Sequence, residues 1–307
     1  MSVPAAFIGV MLIWTTTPLA IHWSGQDVGF LFGLTARMTI AVVLISLVLL
    51  VTKTRLPWHR RARSVYLASG LGICIAMTAV YWAAQRIPSG WISLLFGLSP
   101  LLTGLLARHW LREHGLNLSR GLGLLAALAG LMVIFGEAGR LGADTVQGVL
   151  AALCGVVAHA VSAVWVKRHS RRMPALAVTA GGLYVVLPLL LLGWFLTGET
   201  WPAQVSDRTA LSIAYLGVVA TVLGFALYYY VLHQLGPVRV SLITLITPVL
   251  ALLLGHVINQ EPLTGSVWLG AALVLSGLVF FEWNALRRLV QSRRYTNGTD
   301  SAQLSSE

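Results

Sequence analysis

Residues 81–113 read YWAAQRIPSGWISLLFGLSPLLTGLLARHWLRE, and residues 229–261 read YYVLHQLGPVRVSLITLITPVLALLLGHVINQE. Tyr81-Trp82 in the first stretch answers to Tyr229-Tyr230 in the second, Leu98-Ser99-Pro100 to Ile246-Thr247-Pro248, and Glu113 to Glu261, always at an offset of 148 residues. In both stretches the glutamate follows the proline by 13 positions. Agreement at several unusual residue types and one offset marks a duplicated unit, so the fold is to be read as one unit used twice.

Composition says what the unit is made of. Of 307 residues, 57% are apolar or aromatic and 10% are charged, with a mean hydropathy of +0.80. A soluble domain carries about 25% charged residues, so a globular enzyme and a disordered chain are both excluded. Apolar runs cover about 4–22, 29–52, 64–84, 88–108, 119–137, 146–166, 175–197, 209–232, 239–258 and 265–283. Each is near the roughly 20 residues that a helix needs to cross the hydrocarbon core, about twice the length of a barrel strand. The expected fold is therefore an all-α integral membrane bundle of ten transmembrane helices, five per unit. Five crossings bring the second unit in from the opposite side, which makes the halves (1–144 and 145–284) inverted repeats, followed by a polar cytoplasmic tail (285–307). Inverted repeats with a site at their interface are the architecture of secondary transporters.

Charge placement sets the orientation. With a cytoplasmic N-terminus, 17 Lys and Arg fall in cytoplasmic loops and the tail, among them Arg60, Arg61, Arg63, Lys167 and Arg168. Only Arg86, Arg140 and Arg208 fall on the other side, and Arg37 lies inside the second run. The asymmetry follows the positive-inside rule with both termini cytoplasmic, and it accounts for the net charge of +11 without a nucleic-acid partner. Most tryptophans, including Trp23, Trp58, Trp91 and Trp201, fall at run ends, as an interfacial belt requires. The N-terminal run lacks a basic leader and a small-residue cleavage site and reads as a retained helix. Cys74 and Cys154 sit in apolar runs and form neither a disulfide framework nor a zinc motif. No phosphate loop, nucleotide fingerprint or metal-ligand cluster is present, so no cofactor and no metal are expected.

The stretch from Tyr81 to Glu113, with its aromatic pair, Ser-Pro helix and terminal Leu-Arg-Glu, resembles the EamA family of the drug/metabolite transporter superfamily. So do Glu261-Pro262-Leu263-Thr264, the following Gly270-Ala-Ala-Leu and Ser276-Gly277-Leu, Ala36-Arg37 and Ile13-Trp14. Arg112 departs from the family pattern, where a glycine is common. The resemblance covers residues 4 to 283 and implies ten helices in two inverted halves. It also implies export of small molecules, such as amino acids and related metabolites, across the bacterial inner membrane.

Several residues are candidates for the work. Trp14, Thr15, Tyr81, Ser99, His159, Tyr229 and Thr244 combine aromatic or hydrogen-bonding chemistry with depth in the bundle and are expected to line the substrate cavity. Pro100 and Pro248 near the middle of helices four and nine free the carbonyls of Phe96 and Thr244 and kink those helices, lining a cavity or only packing the bundle. Trp82 and Tyr230, with their tyrosine partners, either gate the two sides or belong to the lipid belt. His159 serves as a substrate ligand or proton relay, or packs against a neighbour. Arg37 either holds a substrate carboxylate or bonds carbonyls. Glu113 and Glu261 are placed to satisfy the N-terminus of the next helix, with proton coupling as the competing role. A small-molecule substrate and membrane lipid are the expected partners. A metallophore or drug-like substrate stays open, as does an integral-membrane lipid-processing enzyme, although the loops lack the acidic or histidine cluster such chemistry needs.

Overall fold

The computed structural model describes residues 2–111, 118–170, 173–281 and 283; the side chains of 111, 175, 225, 229, 232, 233, 235–242, 244 and 245 lie outside the description. Glu113 and the tail after Trp283 also lie outside the described residues. Every regular element among the described residues is a helix. They run α1 (Val3–Ser24), α2 (Phe30–Thr52), α3 (Arg60–Ala83), α4 (Ser89–Phe96), α5 (Ser99–Leu111), α6 (Leu118–Leu141), α7 (Ala143–His169), α8 (Ala175–Thr197), α9 (Asp207–Tyr215), α10 (Gly224–Asn259) and α11 (Gly265–Phe281). A π-helical stretch, Leu216–Leu223, joins α9 to α10. Eight described stretches are long and apolar enough to cross a membrane, and the shorter Ile246–Asn259 and Gly265–Phe281 accompany them. Large apolar side chains such as Val51, Phe195 and Leu196 stand more than two-thirds exposed, as lipid-facing residues do.

Lipid removes the hydrophobic drive between helices, so close contact relies on small residues. The α6–α11 pair shows this best. A Cβ at Gly123 would sit 2.5 Å from the Gly277 carbonyl oxygen, and one at Gly277 would sit 2.6 Å from that of Gly123. Gly130 and Gly270 repeat the contact two turns away. The helices run antiparallel, backbone against backbone, and any larger residue at the crossing forces them apart. Elsewhere α3 packs on α7 and α8, α1 packs on α10, α2 packs on α8 and the π-helical stretch, and α4 packs on α1, α7 and α10.

Three expectations are corrected. The fourth run is two helices, not one kinked at Pro100. The break falls at Gly97 and Leu98, whose N–H groups reach back to the carbonyls of Ser93 and Leu95, both at 3.0 Å. Pro100 then lies in the first turn of α5, where its missing N–H costs no intrahelical bond. Pro248 stays inside α10 and is buried against this break: a Cβ at Gly97 would lie 3.4 Å from Pro248 Cγ. The proline of helix nine thus packs on the break of helix four.

The loop expected between 232 and 239 is instead helical, and α10 runs through it as 36 residues. Arg208 at the start of α9 nevertheless donates to Asn259 Oδ1 at the end of α10 (3.5 Å), so the chain from 207 to 259 leaves one end of the bundle and returns to it.

Trp91 is no belt residue. It is 2% exposed, in the core of α4, whereas Trp58 and Trp201 stand about 70% exposed. Its position at the edge of an apolar run mimicked an interfacial site, because α4 begins at an end of the bundle that neighbouring helices cover.

Candidate functional site

One end of the bundle is tied shut by side chains from both halves of the chain. Gln260 ends α10 in the left-handed conformation (φ 54), which turns the chain back on itself. Glu261, 7% exposed, then accepts from the backbone N–H groups of Ser89 (3.0 Å to Oε1) and Gly90 (3.3 Å to Oε2). The carboxylate thereby caps α4, whose own flanking Pro88 offers no side-chain bond. This corrects the expected partner: Glu261 serves the first turn of α4 and not the following helix. Only a glycine at 255 leaves room for it, since a Cβ there would lie 2.3 Å from Oε2. Asn259 Nδ2 donates to Oε1 (3.1 Å), and Asn259 Oδ1 accepts from Trp23 Nε1 (3.1 Å). Arg208 lies over the Trp23 ring at 4.0 Å.

The same end carries further ties. His22 Nδ1 pairs with the Ala84 carbonyl at 2.6 Å, joining α1 to the end of α3. Thr209 Oγ1 pairs with Asp27 (2.9 Å), and Ser206 Oγ also bonds the Asp27 carboxylate. These two hydroxyls, with a smaller contribution from Arg208, hold the Asp27 carboxyl below the usual carboxylate range.

Beneath this cover, α1 and α7 present side chains to the interior. On α7, Leu150, Cys154, Val157 and Trp165 are exposed along one stripe, the lipid face. His159, two residues past Val157, is turned about 200° from it, onto the packed side of the helix, yet is exposed. That exposure is to an internal opening, not to lipid. On α1, Ile8 and Leu12 mark the lipid stripe. Trp14 is two residues past Leu12, so it too faces inward, and it is half-buried. The Trp14 ring stacks on Tyr228 of α10 (centroids 5.1 Å), and His159 lies 6.1 Å from the Phe96 ring at the end of α4. Helix α4 lies between the two, in contact with both α1 and α7.

The other candidates differ in exposure. Thr15 is buried and Ser99 half-buried, and neither hydroxyl has a partner among the described residues. Tyr81 is fully enclosed in the core, its hydroxyl also without a partner there. Trp82 is half-buried under the Arg86 guanidinium, 3.5 Å from the ring centroid. Tyr230 is 37% exposed. The side chains of Tyr229 and Thr244 lie outside the description.

Sequence reading missed Tyr228, Phe96, Asn259 and Thr221. Tyr228 was hidden by its neighbours, because the 148-residue match singles out Tyr229-Tyr230. Phe96 carries a usable signal, being the last helical residue before a glycine and a Ser-Pro pair.

Arg37 of α2 is 6% exposed. Its Nε donates to Thr221 Oγ1 at 3.2 Å, and the Thr221 hydroxyl donates in turn to the Leu216 carbonyl at 2.8 Å, five residues back in the π-helical stretch.

Comparison with known proteins gives one family. The model of the EamA-like transporter family matches this chain twice, over residues 2–136 and 146–283. Among similar proteins, "Uncharacterized transporter YoaV" of Bacillus subtilis is 26% identical over 92% of this chain and 97% of its own. "Uncharacterized transporter YdeK" of the same organism is 30% identical over 83% and 88%. A Salmonella typhimurium protein named "Probable amino-acid metabolite efflux pump" is 28% identical over 70% and 75%. A crystal structure at 25% identity superposes with a TM-score of 0.65, covering 92% of this chain and 98% of the other.

Proposed function

Because the chain belongs to the EamA-like transporter family of the drug/metabolite transporter superfamily, we propose that it exports amino acids or similar small metabolites across the bacterial inner membrane by alternating access. Two inverted five-helix halves, residues 1–144 and 145–284, form the transporter in this reading. Packing supports it: the 148-residue offset carries α3 onto the α9 to α10 stretch and α7 back onto α1, and the α3–α7 contact has its counterpart in α1–α10. The α6–α11 and α2–α8 pairs map onto themselves, as helices astride a two-fold axis do. In this reading residues 207–259 make crossings eight and nine, which the bond between Arg208 and Asn259 supports.

The observation that carries the reading is the pairing of a sealed end with an inward-turned, open His159 and Trp14. In this reading the termini are cytoplasmic, the Glu261 end faces the periplasm, and a tied Glu261 end belongs to the inward-facing state of the cycle. Trp14, Phe96, Tyr228 and His159 then form the floor on which a solute rests, with Thr15 and Ser99 as its candidate polar contacts. Proteoliposomes loaded with unlabelled amino acids test this by counterflow. Saturable accumulation of at least one labelled amino acid is expected, and no counterflow across the panel by correctly inserted protein refutes the substrate class.

A further inference from the structure

The buried guanidinium of Arg37 has a peculiar coordination. Of its nitrogens only Nε is hydrogen-bonded among the described residues; Nη1 is fully enclosed with no partner. The described ion pairs do not include it, and the one they do include is Arg140–Glu137, near the end of α6. An arginine that served only to bond carbonyls would spend its terminal donors on them, since it carries five N–H groups in a fixed fork. Here the fork's outer edge is left over.

Thr221 is arranged to leave it so. Its hydroxyl proton is committed to the Leu216 carbonyl, so its oxygen can only accept, and it accepts from Nε. The π-helical geometry makes this possible, because the i to i+5 spacing brings residue 221 over the carbonyl of 216; such stretches are frequent at functional sites. Gly217, on the same face, packs against the Arg37 carbonyl and Ile40, which lets α2 lie close enough for the side chain to reach. The guanidinium is therefore clamped at Nε, and its charge is left without a counter-ion among the described residues.

One turn further along the same helical stretch come the contacts with Trp14. Residues 217, 221, 224 and 228 share one face of this helical stretch. A Cβ at Gly224 would lie 3.3 Å from Ile13 and 3.8 Å from Trp14 Nε1, and Tyr228 stacks on Trp14. From Thr221 to Gly224 the rise is about 4.5 Å, a few covalent bonds. The Arg37 clamp at Thr221 and the indole contact at Gly224 thus lie within one helical turn of each other. In a water-poor interior an uncompensated cation attracts an anion strongly and repels a second cation.

We infer that Arg37, held by Thr221, is the anchor for the carboxylate of the transported solute, with Trp14 and Tyr228 against its apolar part. The inference deepens the transporter reading and rests on it for the word "transported". The site selects small organic acids and zwitterions and rejects amines that have no acid group.

Three probes that share a phenyl ring decide it: 3-phenylpropionate, L-phenylalanine and 2-phenylethylamine, titrated onto the purified full-length protein in detergent and read as ligand-induced thermal stabilisation. The two acids are expected to bind and the amine not to bind. Arg37→Gln weakens both acids by about tenfold or more, the scale of a lost charged hydrogen bond, and abolishes the preference over the amine. Should Arg37→Gln fail to fold, Thr221→Val decides, since it keeps the charge and frees the clamp: acid affinity falls about threefold or more. Amine binding equal to acid binding, no acid binding to the wild type, or acid affinity unchanged in Arg37→Gln (or in Thr221→Val where that variant decides) overturns the inference. Counterflow separates the two readings. A protein that transports other solutes but ignores the acids loses the anchor and keeps its function; one that binds acids through Arg37 and moves nothing keeps the anchor and loses the function.

Discussion

Replacing Gly255 with alanine is expected to change sign with its neighbour. In the native protein the added Cβ would lie 2.3 Å from Glu261 Oε2 and 3.1 Å from Ser89 Oγ, so the carboxylate must leave the first turn of α4. Its departure strands the N–H groups of Ser89 and Gly90, which it holds at 3.0 and 3.3 Å. Each enclosed donor left without a partner costs about 1–3 kcal/mol, and the lost charge at the helix N-terminus adds about 0.3–1 kcal/mol. Gly255→Ala and Glu261→Ala should therefore each destabilise by about 2–7 kcal/mol. With Glu261 already truncated the clash is gone, and a Gly to Ala change in a helix stabilises by about 0.5–1 kcal/mol. A double-mutant cycle on the detergent-solubilised protein, with unfolding followed by tryptophan fluorescence in denaturant, should give a coupling of at least about 2 kcal/mol. Costs that add within about 0.5 kcal/mol would show that Gly255 and Glu261 do not share one space.

Other predictions test topology, cavity and charge. A reporter after Glu307 and one between Arg60 and Ser64 should both read cytoplasmic and one between Gly198 and Asp207 periplasmic; a periplasmic C-terminus overturns the inverted repeat. His159→Ala and Trp14→Ala should lower counterflow about tenfold or more at matched expression, the scale of a lost ligand contact, whereas flux equal to wild type assigns both to packing. Asp27 has a carboxyl pKa lowered by Ser206 and Thr209, so its stabilising contribution is present above the unfolded carboxylate value and is lost as pH falls through the lowered folded one. Asp27→Asn should be less thermostable than wild type at neutral pH, and the two should converge in acid; a constant difference at all pH values refutes the assignment.

What was legible in the sequence is what lipid dictates. A membrane helix must satisfy its backbone internally and show apolar side chains to the tails, so the apolar runs, and with them α1 to α3 and α6 to α8, are written in composition alone. That His159 and Trp14 turn away from lipid was legible for a related reason. A polar or amphipathic residue deep in such a run has few causes, and the helical period turns both away from the exposed stripes of their helices. The distinction between Pro100 and Pro248 was not legible, although both follow a small hydroxyl residue at one offset. Gly97 precedes Pro100 by three residues and weakens the helix before the proline is reached, while Leu245 occupies the corresponding place before Pro248. The break comes where the two weak residues fall together.

The reach of Glu261 to α4 shows the second kind of failure, and its cause is instructive for the transport cycle. A carboxylate just past a helix end is read locally as a cap for whatever helix follows, because sequence neighbours are the only neighbours a sequence displays. Here Glu261 stands 172 positions from Ser89, and the bond it makes joins the two halves of the chain across the sealed end. A cap within one half would be indifferent to how the halves are disposed; a cap between them exists in one disposition only. In the alternating-access cycle proposed above, opening this end to release a solute withdraws Glu261 from Ser89 and Gly90 and parts Asn259 from Trp23. In the proposed cycle, the energy that makes Glu261→Ala destabilising is therefore also energy that favours the inward-facing state. The same substitution should shift the resting population toward periplasmic opening, which thiol labelling of a cysteine introduced at Ser93, in a background free of Cys74 and Cys154, would read as faster modification by a membrane-impermeant reagent added from the periplasmic side. Unchanged labelling in a folded Glu261→Ala protein would confine the carboxylate to holding α4 together and remove it from the gate.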